Sequence, residues 1–217
     1  MKSDTVLQKD VIDELRWDPR VKQKEIGVAA RDGVVTITGS VESFAERWAV
    51  ERAVERVAGV RVVANEIDVK LPSSLVRTDS DIAHQMRQAF KWDVQVPDEL
   101  ITAEVTKGWV TLEGEVGWNF QREAAAQAVR NLAGVRGVTN LIRVKSSISA
   151  YDVNLKIKDA LRRRADRDAA NIQVQANGDV VTLKGTVSSF AERRAAEGVA
   201  WSAPGVHEVK DELIVAM

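Results

Sequence analysis

The chain has 217 residues, 45% of them hydrophobic and 29% charged, with a net charge of -1. That balance describes a globular chain and excludes both a disordered polyelectrolyte and a strongly basic surface seeking a polyanion, which sets nucleic acid aside as a partner. The lack of any cysteine removes disulfides, thiolate nucleophiles, thiolate metal sites and a lipid-bearing N-terminal cysteine.

The opening stretch, MKSDTVLQKDVIDELRWDPR, is charged and amphipathic and has no apolar core of a secretory signal. No later run is long and apolar enough to span a bilayer. As the sequence stands, the expected location is the cytoplasm, or the periplasm if a signal has been removed upstream. Leu7, Val11 and Leu15 recur every four residues, which predicts an amphipathic helix over residues 4–17 ending at Asp18-Pro19. IGVAA and VVTITG flank Asp32-Gly33, a hairpin signal between two β-prone runs. Ser43 and Glu46 form the capping box of a second helix, which Gly59 ends through a left-handed residue. RVVANEIDV then supplies a last strand. The order is αββαβ. With one apolar face each, both helices must cover the same face of a three-stranded mixed sheet, whose last strand runs parallel to the second through a right-handed crossover.

This unit recurs. GVVTITGSV around Gly39 returns as GWVTLEGEV around Gly114 and DVVTLKGTV around Gly185, spaced by 75 and then 71 residues. A Gly-Val pair follows twenty residues later each time, at Gly59, Gly134 and Gly205. Arginine recurs at Arg47, Arg122 and Arg193, alanine at Ala49, Ala124 and Ala195, isoleucine at Ile26, Ile101 and Ile172, and a large apolar residue at Leu15, Phe90 and Leu161. The joints LPSSLVRTDSD and SSISAYD read as linkers. The sequence therefore predicts an α+β protein of three tandem αββαβ modules over residues 1–71, 76–146 and 149–217, each too long for a solenoid repeat and each with its own core. Gly33, Gly39, Gly59, Gly108, Gly114, Gly134, Gly178, Gly185 and Gly205 read as turn and close-packing positions, because no G-x-G-x-x-G or phosphate-binding lysine motif accompanies them.

The pattern of a first helix ending in Asp-Pro, then I-x-V, D-G-x-V-T-L-x-G-x-V, an arginine-bearing helix ending in Gly-Val and a strand with Asn resembles the BON domain. The first copy carries Asp18-Pro19, Ile26, Asp32-Gly33, Gly39, Gly59-Val60 and Asn65. The second has Asp93-Val94 and Lys107 but keeps Gly114, Gly134-Val135 and Asn140, and the third has Asp179 and Asp211 at the places of Gly33 and Asn65. The resemblance implies an αββαβ fold and a non-enzymatic module associated with envelope maintenance, osmotic stress and binding to phospholipid surfaces. It also implies, as an alternative, a cytoplasmic potassium-sensing module.

Chemistry has little to work with. The two histidines, His84 and His207, occupy no shared repeat position and read as cap or surface residues. The acidic pairs Asp79/Asp81 and Asp166/Asp168 lie outside any calcium-binding loop and read as helix starts and solvated ends. No catalytic residue, metal or cofactor is expected. The six tryptophans carry more information. Trp17 and Trp92 share one repeat position, two residues past the core Leu15 or Phe90, about 200° around a helix and so turned away from the core. They contact a neighbouring copy or a partner, fold over the core edge, or meet a membrane surface. Trp118, in the loop after the second strand, joins them. In the third copy the same place is basic, with Arg162, Arg163, Arg164 and Arg167. Indole at the headgroup level and arginine against anionic lipid suit a membrane contact. The expected function is thus a stress-associated binding protein whose modules contact anionic phospholipid or a protein partner, three weak contacts combining into avidity.

Overall fold

A computed structural model describes residues 2–22, 25–145, 172–177, 179–203 and 206–216. In the first module, α1 (Asp4–Trp17) begins where the Ser3 hydroxyl accepts the Val6 N–H at 3.4 Å, and it buries Leu7, Val11 and Leu15. The hairpin of β1 (Ile26–Arg31) and β2 (Val34–Val41) turns through Asp32 and Gly33, both at positive φ as a two-residue hairpin turn needs. The N–H of Asp32 is held by the Asp4 carboxylate at 2.9 Å, so the first turn of the helix fixes the hairpin. α2 (Phe44–Arg56) and β3 (Val62–Val69) complete the order β1-β2-β3. The carbonyl of Gly33, before β2, accepts from Arg61 and that of Val41, at its end, from Lys70, so β3 runs with β2.

The second module repeats this with α3 (Asp79–Trp92), the hairpin β4 (Ile101–Thr106) and β5 (Trp109–Val116), and α4 (Asn119–Arg130). Asp79 and Asp81 serve as helix starts. Asp81 closes a capping box with Thr78, while Asp79 accepts the amides of Lys107 and Gly108, each at 2.8 Å. Here the last strand is interrupted, dividing into β6 (Gly137–Asn140) and β7 (Arg143–Val144), both parallel to β5, so that the sheet counts four strands. The interruption follows Asn140, whose side-chain oxygen accepts the Ile142 N–H at 3.2 Å and draws that amide off the ladder. Asn65 and Asp211 capture Ile67 and Leu213 in the same way, at 3.2 and 2.9 Å, without breaking their strands. All three residues need only an acceptor for this task, which is why Asp replaces Asn in the third copy.

The third module contains β8 (Ile172–Asn177) antiparallel to β9 (Val180–Val187), α5 (Phe190–Trp201), and β10 (Glu208–Val215) parallel to β9. Val181, Leu183, Val199, Ala200 and Leu213 are central to its core. Its expected first helix, with Leu161, and Gly178 and Gly205 lie outside the described residues. Ala195 is exposed, and the adjacent Ala196 takes the core position instead. The Glu192 carboxylate is occupied by the amide and hydroxyl of Ser188, at 2.6 and 2.8 Å, and Arg193 binds Asp211.

By packing, Met1–Ser40, Trp48–Asp68 and Ile148–Met217 form one compact unit and Val41–Arg47 with Val69–Ser147 another. Within the first, Asp18 ends α1 and folds its buried carboxylate under Arg20 at 2.7 Å and Arg56 at 3.1 Å. The Arg20 hydrogen bonds above all hold that carboxyl far below the ordinary carboxylate range, against the opposing effect of burial. Its contribution is therefore complete above about pH 4 and is lost as acid titrates it below that. Asp18→Asn should lower stability by about 1–2 kcal/mol at pH 7 and flatten the acid limb of a urea-midpoint against pH plot. An unchanged acid limb would show that Arg20 and Arg56 leave the carboxylate unperturbed.

Candidate binding surface on the middle module

Helix periodicity positions the first element of this surface. Phe90 is buried, and Trp92, two residues on, is 84% exposed, as is Trp17 beyond the buried Leu15. Beyond Trp92 the helix stops at Asp93, and the connection to β4 carries Val94, which is 99% exposed, and the exposed Leu100. Because β4 and β5 are antiparallel with Ile101 opposite Gly114, the start of β4 lies beside the end of β5. Trp118 and Phe120 follow that end, both exposed, with ring centroids 6.5 Å apart and an interplanar angle of 29°. Five exposed apolar side chains, Trp92, Val94, Leu100, Trp118 and Phe120, thus come from two segments at one end of one module.

The internal repeat shows that this is not a general property of the fold. Trp118 is the N-cap of α4, at the place of Ser43 and Ser189 in the other copies. Those serines accept the Glu46 and Glu192 amides at 3.1 and 3.2 Å. The middle module keeps only the return contact, from the Trp118 amide to Gln121 at 3.0 Å. Giving up a serine cap costs about 1 kcal/mol, so an outward indole has replaced a stabilising contact. Leu100 and Phe120 stand where the first module has Glu25 and Ala45. The sequence reading found Trp92 and Trp118 but missed Val94, Leu100 and Phe120. The signal available was their departure from the repeat rather than their agreement with it.

One of the segments that form the patch is acidic. The segment bearing Trp92, Val94 and Leu100 also bears Asp93, Asp98 and Glu99 against one cation, Lys91. Arg77, Lys107 and Arg136 with Asp79 line a pocket of about 380 Å³ at the opposite, hairpin end, while Arg143 and Lys145 lie beside the end of β5. The eight residues of β5 separate the two ends, roughly 26 Å at 3.3 Å per residue. The remaining expected contacts, Arg162, Arg163, Arg164 and Arg167, lie outside the described residues.

Elsewhere the polar residues are engaged structurally. His84 Nδ1 lies 2.8 Å from the Ser80 carbonyl one helical turn back, and His207 lies 2.7 Å from Asp179. Among the described residues no cluster of three His, Cys, Asp or Glu side chains is arranged to hold a metal ion, and no helix is long and apolar enough to cross a membrane.

The profile of the BON domain matches the chain three times, over residues 3–70, 78–146 and 152–217. The chain is 26% identical over 143 residues to osmotically-inducible protein Y of Escherichia coli K12, an alignment spanning 62% of this chain and 71% of that protein. Among solved structures it aligns with CdsD, a structural protein of the type III secretion system of Chlamydia trachomatis, at 13% identity and a TM-score of 0.27, over 97% of this chain and 92% of that one. It also aligns with the periplasmic domain of PrgH at 10% identity and a TM-score of 0.23, over 95% of this chain and all of that one.

Proposed function

The chain belongs to the BON domain family, and on that premise we propose that it is a non-catalytic, osmotic-stress-associated binding protein whose middle module docks a protein partner through its aromatic end. The partner presents an apolar surface rimmed by basic residues. Similarity to an osmotically inducible protein supports the setting. The observation that carries the choice of partner is the segment of residues 92–100, in which Asp93, Asp98 and Glu99 alternate with the exposed Trp92, Val94 and Leu100. An anionic bilayer surface, negative itself, would be repelled there, whereas a basic protein rim would be attracted and oriented. Large aromatic side chains are the residues that most often dominate such interfaces.

The test places a photo-crosslinking phenylalanine analogue at Trp118 in cells under hyperosmotic stress, beside vesicles of anionic phosphatidylglycerol incubated with the purified chain. A discrete protein adduct is expected, reduced at least tenfold by Trp92→Ala or Val94→Asp, with no vesicle co-sedimentation that depends on Trp92. Vesicle binding lost in Trp92→Ala, without an adduct, would replace the protein partner by lipid. A second reading follows from the opposite end: Arg77, Lys107 and Arg136 around one pocket favour contact with a phospholipid headgroup. Vesicle binding abolished by Lys107→Asp but indifferent to Trp92→Ala would select it.

A further inference from the structure

The pocket at the hairpin end of the middle module is built from three segments: the approach to α3 with Arg77, the β4–β5 turn with Lys107 and Gly108, and the approach to β6 with Gly134 and Arg136. Close packing fixes these segments against one another. A Cβ on Gly134 would meet the Arg77 Cβ at 2.7 Å, and one on Gly108 would meet the Gly134 carbonyl oxygen at 2.8 Å and the Arg136 Cγ at 3.2 Å. The Arg77 guanidinium is oriented by its Nη1, which donates to the Ser74 and Val76 carbonyls at 2.9 and 2.8 Å. Its Nε and Nη2 make no hydrogen bond among the described residues and keep their N–H groups for a ligand.

The charge of this pocket is left open. Asp79 is the carboxylate of the lining, and its two oxygens accept the amides of Lys107 and Gly108, one each, at 2.8 Å. Asp81, outside the lining, accepts the Thr78 amide and hydroxyl at 3.1 and 2.7 Å. Among the described residues, none of Arg77, Lys107 and Arg136 forms an ion pair, so three cations and one carboxylate leave the lining two net positive charges. The other copies neutralise the same place. In the first module Lys2, Asp10, Asp32 and Arg61 stand where the middle one has Arg77, Gln85, Lys107 and Arg136. Lys2 there meets Asp10 at 2.7 Å, and the turn residue is itself an acid. In the third module His207, at the place of Arg136, lies 2.7 Å from Asp179. The middle module has thus exchanged both acids of the first, one for glutamine and one for lysine. Lysine is an unfavourable choice for the turn: Lys107 sits at φ +53°, a left-handed conformation in which an aspartate can hydrogen-bond nearby backbone and a lysine cannot.

We propose that this pocket binds a doubly ionised phosphate group, that of a phosphomonoester. Two net positive charges match a terminal phosphate, which carries about -1.5 to -2 at neutral pH, better than the single charge of a phosphodiester. Arginine presents a planar fork to two phosphate oxygens, and lysine adds a point charge on a long stem. Because Asp79 occupies the turn amides, the side chains of Arg77, Lys107 and Arg136 must make the contacts. The cavity has more room than a phosphate needs, and Leu71 and Val76 give it an apolar wall for the organic part of an ester. The proposal rests on the second reading of function in taking this pocket to hold a phosphate. It goes further by fixing the ester type and the charge, and it requires no bilayer.

Calorimetric titration of the full chain with glycerol 3-phosphate at fixed salt should show saturable binding, with succinate, a dicarboxylate of the same charge, bound at least about tenfold more weakly. Lys107→Asp and Gln85→Asp each return an acid that the first module carries. They should weaken glycerol 3-phosphate at least about tenfold and about threefold, with circular dichroism establishing that both variants remain folded. Vesicles distinguish the source of the phosphate: phosphatidic acid presents a monoester and phosphatidylglycerol a diester. Retention on phosphatidic acid over phosphatidylglycerol at equal surface charge would support the proposal with a lipid as the source. Glycerol 3-phosphate binding without vesicle association would support it with a soluble one. Equal retention on both lipids, abolished by Lys107→Asp and without glycerol 3-phosphate binding, would keep the second reading and overturn this proposal. Failure of both glycerol 3-phosphate and phosphatidic acid to bind, succinate binding as tightly, or parental affinity in Lys107→Asp would each overturn it as well.

Discussion

Gly114→Ala should unfold the middle module with a loss of about 3 kcal/mol or more, roughly two orders of magnitude in its folding equilibrium. A Cβ at that position would sit 2.2 Å from the Leu100 carbonyl oxygen and 3.2 Å from the Ile101 Cα, and the backbone there has φ +140°. Both colliding groups are main chain, held by the pairing of Ile101 with Gly114, so neither can rotate away. The remedy is to pull β4 off β5, which breaks the hairpin that carries Val110 and Leu112 into the core. Three of the six tryptophans, Trp92, Trp109 and Trp118, belong to this module, so a urea titration followed by tryptophan fluorescence should resolve its early transition. Gly198→Ala provides the contrast. Nothing lies within 4 Å of a Cβ there, and the residue sits inside α5, so alanine should stabilise by about 0.5–1 kcal/mol. A midpoint in Gly114→Ala within 1 kcal/mol of the parent would mean that the hairpin is loose enough to absorb the methyl group.

Glu55→Ala should cost the unit of the first and third modules about 1–3 kcal/mol, because the carboxylate is buried while its partners Arg52 and Arg194 are 28% and 40% exposed. Glu55 lies under Arg52 and Arg194, and the Nε of Arg52 is buried with no hydrogen-bond partner even in the intact protein. Burial, then the Arg194 charge, already disfavour the Arg52 cation. Removing Glu55 leaves that cation with the Trp48 ring and the more distant charge of Glu51 to face it. If this account holds, adding Arg52→Met should recover much of the loss, because the double variant has no unpaired charge, and a double-mutant cycle would return a coupling of more than 1 kcal/mol. Raising salt should weaken the parent modestly, since the partly exposed Arg52 and Arg194 are open to screening. A loss below 1 kcal/mol for Glu55→Ala alone would show the carboxylate to be solvated.

What could be read from the sequence follows the range of the interactions involved. The Asp32-Gly33 turn, the Ser43 and Ser189 caps and the α1 stripe depend on residues within one turn or one hairpin, and each appears where local chemistry places it. The role of Asp18 as a helix end was legible as part of a motif, but its partner Arg56 is 38 residues away and was not. Arg194 is separated from Glu55 by 139 residues, and no periodicity announces such a pair. The aromatic end of the middle module was half legible for a different reason. Comparing copies for agreement reveals what the fold requires, and Trp118, Phe120 and Leu100 are places where one copy departs from the others. The same holds for Asp211, whose departure from Asn keeps the acceptor used by Leu213 and discards the donor that Asn65 gives to Glu51.

The contact of Glu55 on α2 with Arg194 on α5 also bears on how the chain is made. At about 5–20 residues per second, a ribosome needs roughly 7–28 seconds to synthesise the 139 residues between Glu55 and Arg194. Throughout that interval the α2 face that meets α5 has no complement and is open to water and to every other nascent chain. A face of leucine and phenylalanine would be adhesive during the wait. One of glutamate and arginine stays hydrated until its own complement emerges from the tunnel.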